Sequence, residues 1–161
     1  MDSIIADMTQ PTFLPAPVIW ARFVGALIFG AVIGFERELR ARPAGLRTHA
    51  LVAVAASAFA ILATEVIHSD NLGDNAVQID PLRVIEAVTA GVAFLAAGFI
   101  VFARGEVKGL TTGAGIWLAA AIGLSIGFGY WTIAVPATVL GVVVLALLRR
   151  FEGFVDLKAP Q

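Results

Sequence analysis

The sequence predicts an all-α membrane protein with five transmembrane helices, and three observations lead there. Of the 161 residues, 59% are hydrophobic and only 14% are charged, where a soluble domain carries about 25% charged residues. Mean hydropathy is +0.90, so the polar surface that a water-soluble core requires is missing. The apolar residues fall into five runs, at 18–35, 50–67, 84–103, 110–128 and 131–148, each near the roughly 20 residues that cross a bilayer. Backbone groups in lipid must pair within their own segment, and the alternation of a membrane barrel is absent, so the runs are helices.

Residues 1–17 carry Asp2 and Asp7 and no basic residue. A cleavable signal would start positive, so this segment reads as a polar N-terminal tail ahead of a membrane domain at 18–150. The first two runs are joined by Gly34-Phe35-Glu36-Arg37-Glu38-Leu39-Arg40-Ala41-Arg42-Pro43-Ala44-Gly45-Leu46-Arg47-Thr48-His49, which holds four arginines and two glutamates. A short basic loop of this kind stays in the cytoplasm. With it inside, Arg37, Arg40, Arg42, Arg47, Arg104, Lys108, Arg149, Arg150 and Lys158 face the cytoplasm, and Arg22 and Arg83 lie outside. Nine basic residues against two predict an external N-terminus and a short cytoplasmic tail at 151–161.

Helix starts are read from capping residues. Asp80-Pro81 pairs an N-cap residue with a first-turn proline and opens the third helix. Thr48, and Thr111 or Thr112, are the expected caps of the second and fourth. Gly127 to Trp131 reads as a tight turn with interfacial aromatics.

Gly34-Phe35, nine residues, then Gly45-Leu46-x-Thr48 recurs as Gly98-Phe99, nine residues, then Gly109-Leu110-x-Thr112. One reading is an internal repeat, giving two parallel helical hairpins plus a fifth helix. The other is coincidence in a chain rich in Gly and Leu.

Helices in lipid associate by close packing rather than by hydrophobic drive. Small residues recur four apart at Ala26, Gly30 and Gly34, at Ala87 and Gly91, at Ala93 and Ala97, and at Ala119, Gly123 and Gly127. They serve either a tightly packed monomer, which must be satisfied first, or a docking face for another membrane protein. Arg22, Glu65, Arg83 and Glu86 lie near the outer helix ends, and unpaired charge there is costly. Internal pairing is expected, Glu86 with Arg22 or with Arg83 at i, i+3; the alternative is Glu86 as a proton or cation site.

Asp70, Asn71, Asp74, Asn75 and Asp80 make the outer loop acidic, but their spacing matches no calcium loop, so a metal role is left undetermined. There is no cysteine, which excludes disulfides and thiolate chemistry. Gly123-Leu124-Ser125-Ile126-Gly127 has the text of a hydrolase elbow but sits inside an apolar run, where packing accounts for it. Gly113-Ala114-Gly115 lacks a third glycine and a preceding strand. His49 and His68 are isolated. No catalytic constellation or cofactor is expected, and the net charge of −1 gives no reason to expect nucleic acid as a partner.

The hairpin residues Gly34-Phe35-Glu36-Arg37-Glu38 and Pro43-Ala44-Gly45-Leu46-Arg47-Thr48-His49 resemble the signature of the MgtC/SapB membrane proteins. Asp80-Pro81-x-Arg83, Gly91, Phe94-Leu95-x-Ala97-Gly98, Gly109-Leu110-Thr111-Thr112, Trp117 and Gly123 continue the resemblance in order. It implies a five-helix domain of the bacterial inner membrane linked to growth under magnesium limitation, acting as a regulator of other membrane proteins although members are often labelled magnesium transporters. Carried over, Glu36, Arg37, Arg47, Thr48, Arg83, Thr111, Thr112 and Trp117 become functional positions, with Glu38, Gly45 and Gly109 in the same motifs. Ala87 stands where the family often has Gln, Ala93 and Ala96 where glycines are common, and the soluble carboxyl-terminal domain of longer members is not expected here. The resulting expectation is a non-enzymatic protein in contact with lipid and with a membrane-protein partner or a second copy. The faces of the first and fourth helices would supply the contact, and Glu36, Arg37 and Arg47 would lock the hairpin. A magnesium or other ion transporter using Glu86 is the alternative.

Overall fold

The computed structural model describes residues 1–69, 80–103 and 106–148. The acidic positions at 70–79, Arg104, Arg149, Arg150, Lys158 and the tail 151–161 lie outside them. A short helix α1 (Asp2–Met8) precedes α2 (Ala16–Glu38), α3 (Leu46–Ile67) and α4 (Pro81–Phe99). A two-stranded hairpin, β1 (Val101–Ala103) and β2 (Glu106–Lys108), leads to α5 (Leu110–Gly127) and α6 (Trp131–Val143), which runs on as a π-helical turn over Val144–Leu148. Helices α2 to α5 are long and apolar enough to cross a membrane, and α6 is a shorter apolar helix.

Helix α3 is the centre of the bundle, packed against α2 on one side and α5 on the other. The small residues explain how. A Cβ at Gly30 would come within 2.7 Å of Ala53 Cβ, and one at Gly34 within 2.6 Å of Leu46 Cα. A Cβ at Gly123 would collide with the Ala53 backbone, and one at Gly127 would reach within 2.6 Å of Ala60 Cβ. Ala26, Gly30 and Gly34 on α2, and Ala119, Gly123 and Gly127 on α5, are therefore contacts within the chain, made backbone to backbone as lipid surroundings require. The expectation that these two faces meet a partner is corrected accordingly. Around them, Ala26, Ile33, Ala53, Ile122, Ile126 and Ala134 form one buried cluster. Ala56, Ala60, Val92, Ile116, Ala120 and Leu124 form another.

Helix α4 differs. It leans on α5 and touches α3 only lightly. Only 11% of its apolar window is buried, against 61% for α5, and a Cβ at Gly91 or Gly98 would meet nothing within 4 Å.

Several boundaries depart from the hydropathy reading. α2 runs to Glu38, then turns through Ala41 at φ +49°. The Arg42 N–H reaches the Arg37 carbonyl at 3.2 Å and the Ala41 N–H reaches that of Glu38 at 3.0 Å, which is the Schellman pattern. α3 starts at Leu46 because Glu38 caps it: its carboxylate accepts from the Leu46 N–H at 3.1 Å. Thr48 is not the cap, and neither is Thr111 or Thr112; the N-cap positions are Gly45 and Gly109, without side-chain cap bonds of their own. Asp80 does cap α4, accepting from the Leu82 N–H at 2.9 Å. The third run does not remain helical to 103: α4 stops at Phe99, Ile100 is extended, and residues 101–103 pair with 106–108, Val101 with Lys108 and Ala103 with Glu106. β-Branched and aromatic residues favour such pairing. Gly109 closes it at φ +89°, with the Phe99 carbonyl occupying the place of a Cβ.

The two copies of the repeated motif agree in one respect. Gly45 and Gly109 are both N-caps of the helix that follows. They differ in another, since Gly34 is packed on Leu46 while Gly98 is open.

The opening segment is more than a polar tail. Glu65 accepts from the Phe13 N–H at 2.6 Å and the Leu14 N–H at 2.9 Å. Phe13 also stacks on His68, with ring centroids 3.7 Å apart, and Leu14 is buried.

Candidate functional site

The motif residues gather at the end of the bundle that holds the α2–α3 turn. Glu36 pairs with Arg40 one helical turn on. Arg37 points the other way and is buried, donating from Nη2 to Thr112 Oγ1 at 3.1 Å. Glu38 reaches over Gly45 to the α3 N-terminus, and a side chain at Gly45 would occupy the space of that carboxylate. Three consecutive residues thus tie α2 to itself, to α5 and to α3. Arg47 is exposed and takes no part in an ion pair among the described residues, so the expected lock of Glu36, Arg37 and Arg47 is replaced by this arrangement. Thr48 is half-buried, while Thr111 and Trp117 face outward.

Sequence reasoning set His49 aside, yet it is fully buried at this corner. Its Nδ1 lies 2.8 Å from the Gly45 carbonyl oxygen. A carbonyl only accepts, so Nδ1 carries the proton and a neutral ring presents a lone pair at Nε2. That atom is buried without a hydrogen-bond partner among the described residues. A Cβ at Gly115 would lie 3.0 Å from it. His49 is thus buried where α3 meets α5, its ring against Gly115. The sequence signals were its place one turn after Gly45 and at the end of the family-like motif.

At the other end, the expected charge pairing takes a different form. Arg22 donates from Nη1 to the Gly127 carbonyl at 2.8 Å, so a cation covers the carbonyl end of α5, where the helix dipole favours it. Glu65, which the sequence placed beside it, instead holds the Phe13 and Leu14 amides. Neither Arg22 nor Arg83 forms a salt bridge with Glu86 among the described residues, and both Arg83 and Glu86 are exposed. Among those residues no group of three or more His, Cys, Asp and Glu side chains is placed to hold a metal ion.

Long apolar helices with glycine-mediated contacts and charges confined to the helix ends define a multi-pass α-helical membrane protein. The chain belongs to the MgtC family, whose profile matches residues 23–154. It is 41% identical over 140 residues to "Protein MgtC" of Brucella abortus, covering 86% of this chain and 55% of that protein. It is 36% identical over 138 residues to the Escherichia coli K12 protein named "Putative magnesium transporter YhiD", covering 81% and 62%. An uncharacterized protein of Haemophilus influenzae is 35% identical over 146 residues, covering 89% and 61%. The chain therefore spans less than two thirds of the length of these relatives. No solved structure matches it.

Proposed function

We propose that this chain is a non-enzymatic protein of the bacterial inner membrane that supports magnesium-linked homeostasis by binding another membrane protein, with its N-terminus outside and the arginine-rich turn in the cytoplasm. Family membership and the names of the relatives support the magnesium link. The observation that carries the binding is the bare outer side of α4. Glu86, Ala90, Ala93 and Ala97 follow one another at i, i+4, i+7 and i+11, and all four are exposed, on a helix the rest of the chain leaves largely uncovered. Small residues on such a face admit a second helix closely. A photo-crosslinking residue at Ala93, used in native membranes under magnesium limitation, is expected to capture one defined protein that the same residue at Trp117 on α5 does not. Capture of lipid alone at Ala93 would overturn the reading.

The transporter reading rests on Glu86 itself. Its carboxylate lies outside the bundle of one chain, so a pathway using it would form between copies. Ion flux into liposomes that Glu86→Gln abolishes would favour this second reading over the first.

A further inference from the structure

On the other side of α4, away from Ala93, the light contact with α3 leaves an apolar groove of about 860 Å³. Its walls include Phe59 and Leu62 of α3 and Ala87, Gly91 and Leu95 of α4. Among the described residues, Asp80 and Arg83 are the charged ones lining it, both exposed at the start of α4. From Arg83 to Leu95 the groove follows α4 for about 18 Å at 1.5 Å per residue. That is close to one leaflet of a hydrocarbon core about 30 Å thick, and about half of what a second spanning helix would need. Its volume lies within the roughly 300–1,000 Å³ of small-molecule sites. The dimensions describe a slot for lipid chains entered from one face of the bilayer.

The charges at the mouth narrow the headgroup. Asp80 and Arg83 stand at i, i+3 spacing on one helix, one of each sign. A phosphate suits the Arg83 guanidinium, and an ammonium beside it would meet the free carboxylate oxygen of Asp80, whose Oδ1 is engaged by Leu82. A headgroup with net negative charge would meet Asp80 unfavourably. We infer that the α3–α4 groove is a binding site for an amine-bearing zwitterionic phospholipid, with acyl chain along Ala87, Gly91 and Leu95 and headgroup across Asp80 and Arg83. This inference is independent of the partner proposed for the opposite side of α4.

The test uses the full chain purified in mild detergent and native mass spectrometry with added phosphatidylethanolamine or phosphatidylglycerol. Wild type is expected to retain phosphatidylethanolamine at least fivefold better than phosphatidylglycerol. Gly91→Leu enters the groove from an open position, since nothing lies within 4 Å of a Cβ there. It should lower retention at least fivefold with an unchanged melting temperature, and Arg83→Gln should remove the headgroup preference. Val139→Leu, exposed on α6 and outside the groove, should change neither. Should Gly91→Leu not be recovered folded, Ala87→Leu gives the same readout. Equal retention of both lipids by wild type, or full retention by the groove-filled variants, would overturn the site. So would a lipid-free dimer that Gly91→Leu dissociates, which would make a second copy the occupant.

Discussion

Arg37, near the end of α2, and Thr112, in the first turn of α5, are joined by a 3.1 Å hydrogen bond across 75 positions of sequence. The two side chains are 5% and 2% exposed, so the bond brings an arginine into a place that water does not reach. A hydrogen bond to a charged group contributes about 1.5–3 kcal/mol, and removing the acceptor leaves the donor to bear its desolvation. Thr112→Val, which keeps the shape and removes the hydroxyl, is expected to destabilise the purified protein by about that amount. Thr111→Val, one position earlier and exposed, should cost less than about 0.5 kcal/mol. Unfolding in detergent measures both, and equal losses would show that the bond is not what holds α5 to α2.

Much of the fold was legible because hydropathy and length decide it. The starts of α5 and α6 and the end of α3 fall where the runs begin or stop, and the spacing of Gly30, Gly34, Gly123 and Gly127 announced close packing. The partners of those glycines were not legible. A four-residue spacing marks a face without saying whether α3 or another molecule lies against it, and both faces proved to be closed by α3. The cap of α3 was missed for a similar reason. Thr48 is the local candidate, but the carboxylate that does the work belongs to Glu38, eight residues earlier. The first strand of the β-hairpin lay hidden in Val101-Phe102-Ala103, apolar enough to continue a helix, and the second, Glu106-Val107-Lys108, in what reads as a polar connection. At the candidate site the motif residues were all named, while His49 was discounted because no second ligand accompanies it. Its burial depends on the α3–α5 approach, which single-sequence periodicity does not report.

The turn after α2 offers a stabilising substitution. Ala41 occupies the left-handed region at φ +49°, where a Cβ costs about 1–2 kcal/mol and glycine pays no such penalty. Ala41→Gly should therefore raise stability by about 1 kcal/mol. The equivalent turn after α5 already has its glycine: Gly129 sits at φ +88°, with Tyr130 N–H on the Ser125 carbonyl at 2.7 Å. Gly129→Ala should lower stability by more than Ala41→Gly raises it, because its Cβ would also come within 2.8 Å of Arg22 Nη2. Melting temperatures of the two variants against wild type test the pair. A loss on Ala41→Gly would mean that the turn is not held as described.

Glycines separated by the same reasoning should behave in opposite ways. At Gly123 a Cβ would strike the backbone of Ala53, which a small adjustment does not relieve, whereas at Gly98 it would enter open space. Gly123→Ala is expected to reduce folded protein severely, by about 2 kcal/mol or more, as overpacking does. Gly98→Ala should be neutral or stabilising by up to about 1 kcal/mol, the helix preference of alanine over glycine. Folded yield in detergent and melting temperature decide it. A Gly98→Ala variant as damaged as Gly123→Ala would place an unrecognised neighbour against α4.

The orientation can be tested without background, because the chain has no cysteine of its own. Pro11 and Arg42 are exposed at opposite ends of α2, a helix of 23 residues and so about 34 Å long. In intact cells Pro11→Cys should react with a membrane-impermeant maleimide, and Arg42→Cys should react only after permeabilisation, if the basic end of the bundle faces the cytoplasm as proposed. Lys158→Cys adds the count of spans. α6 with its π-helical turn runs from Trp131 to Leu148, about 27 Å if helical throughout and close to the roughly 30 Å of hydrocarbon. If it crosses, position 158 is shielded together with position 42. Labelling of 158 from outside while 42 stays protected would reduce the spans to four and leave α6 lying against one face. Labelling of 42 from outside would invert the whole chain, and with it the assignment of the arginine-rich turn to the cytoplasm.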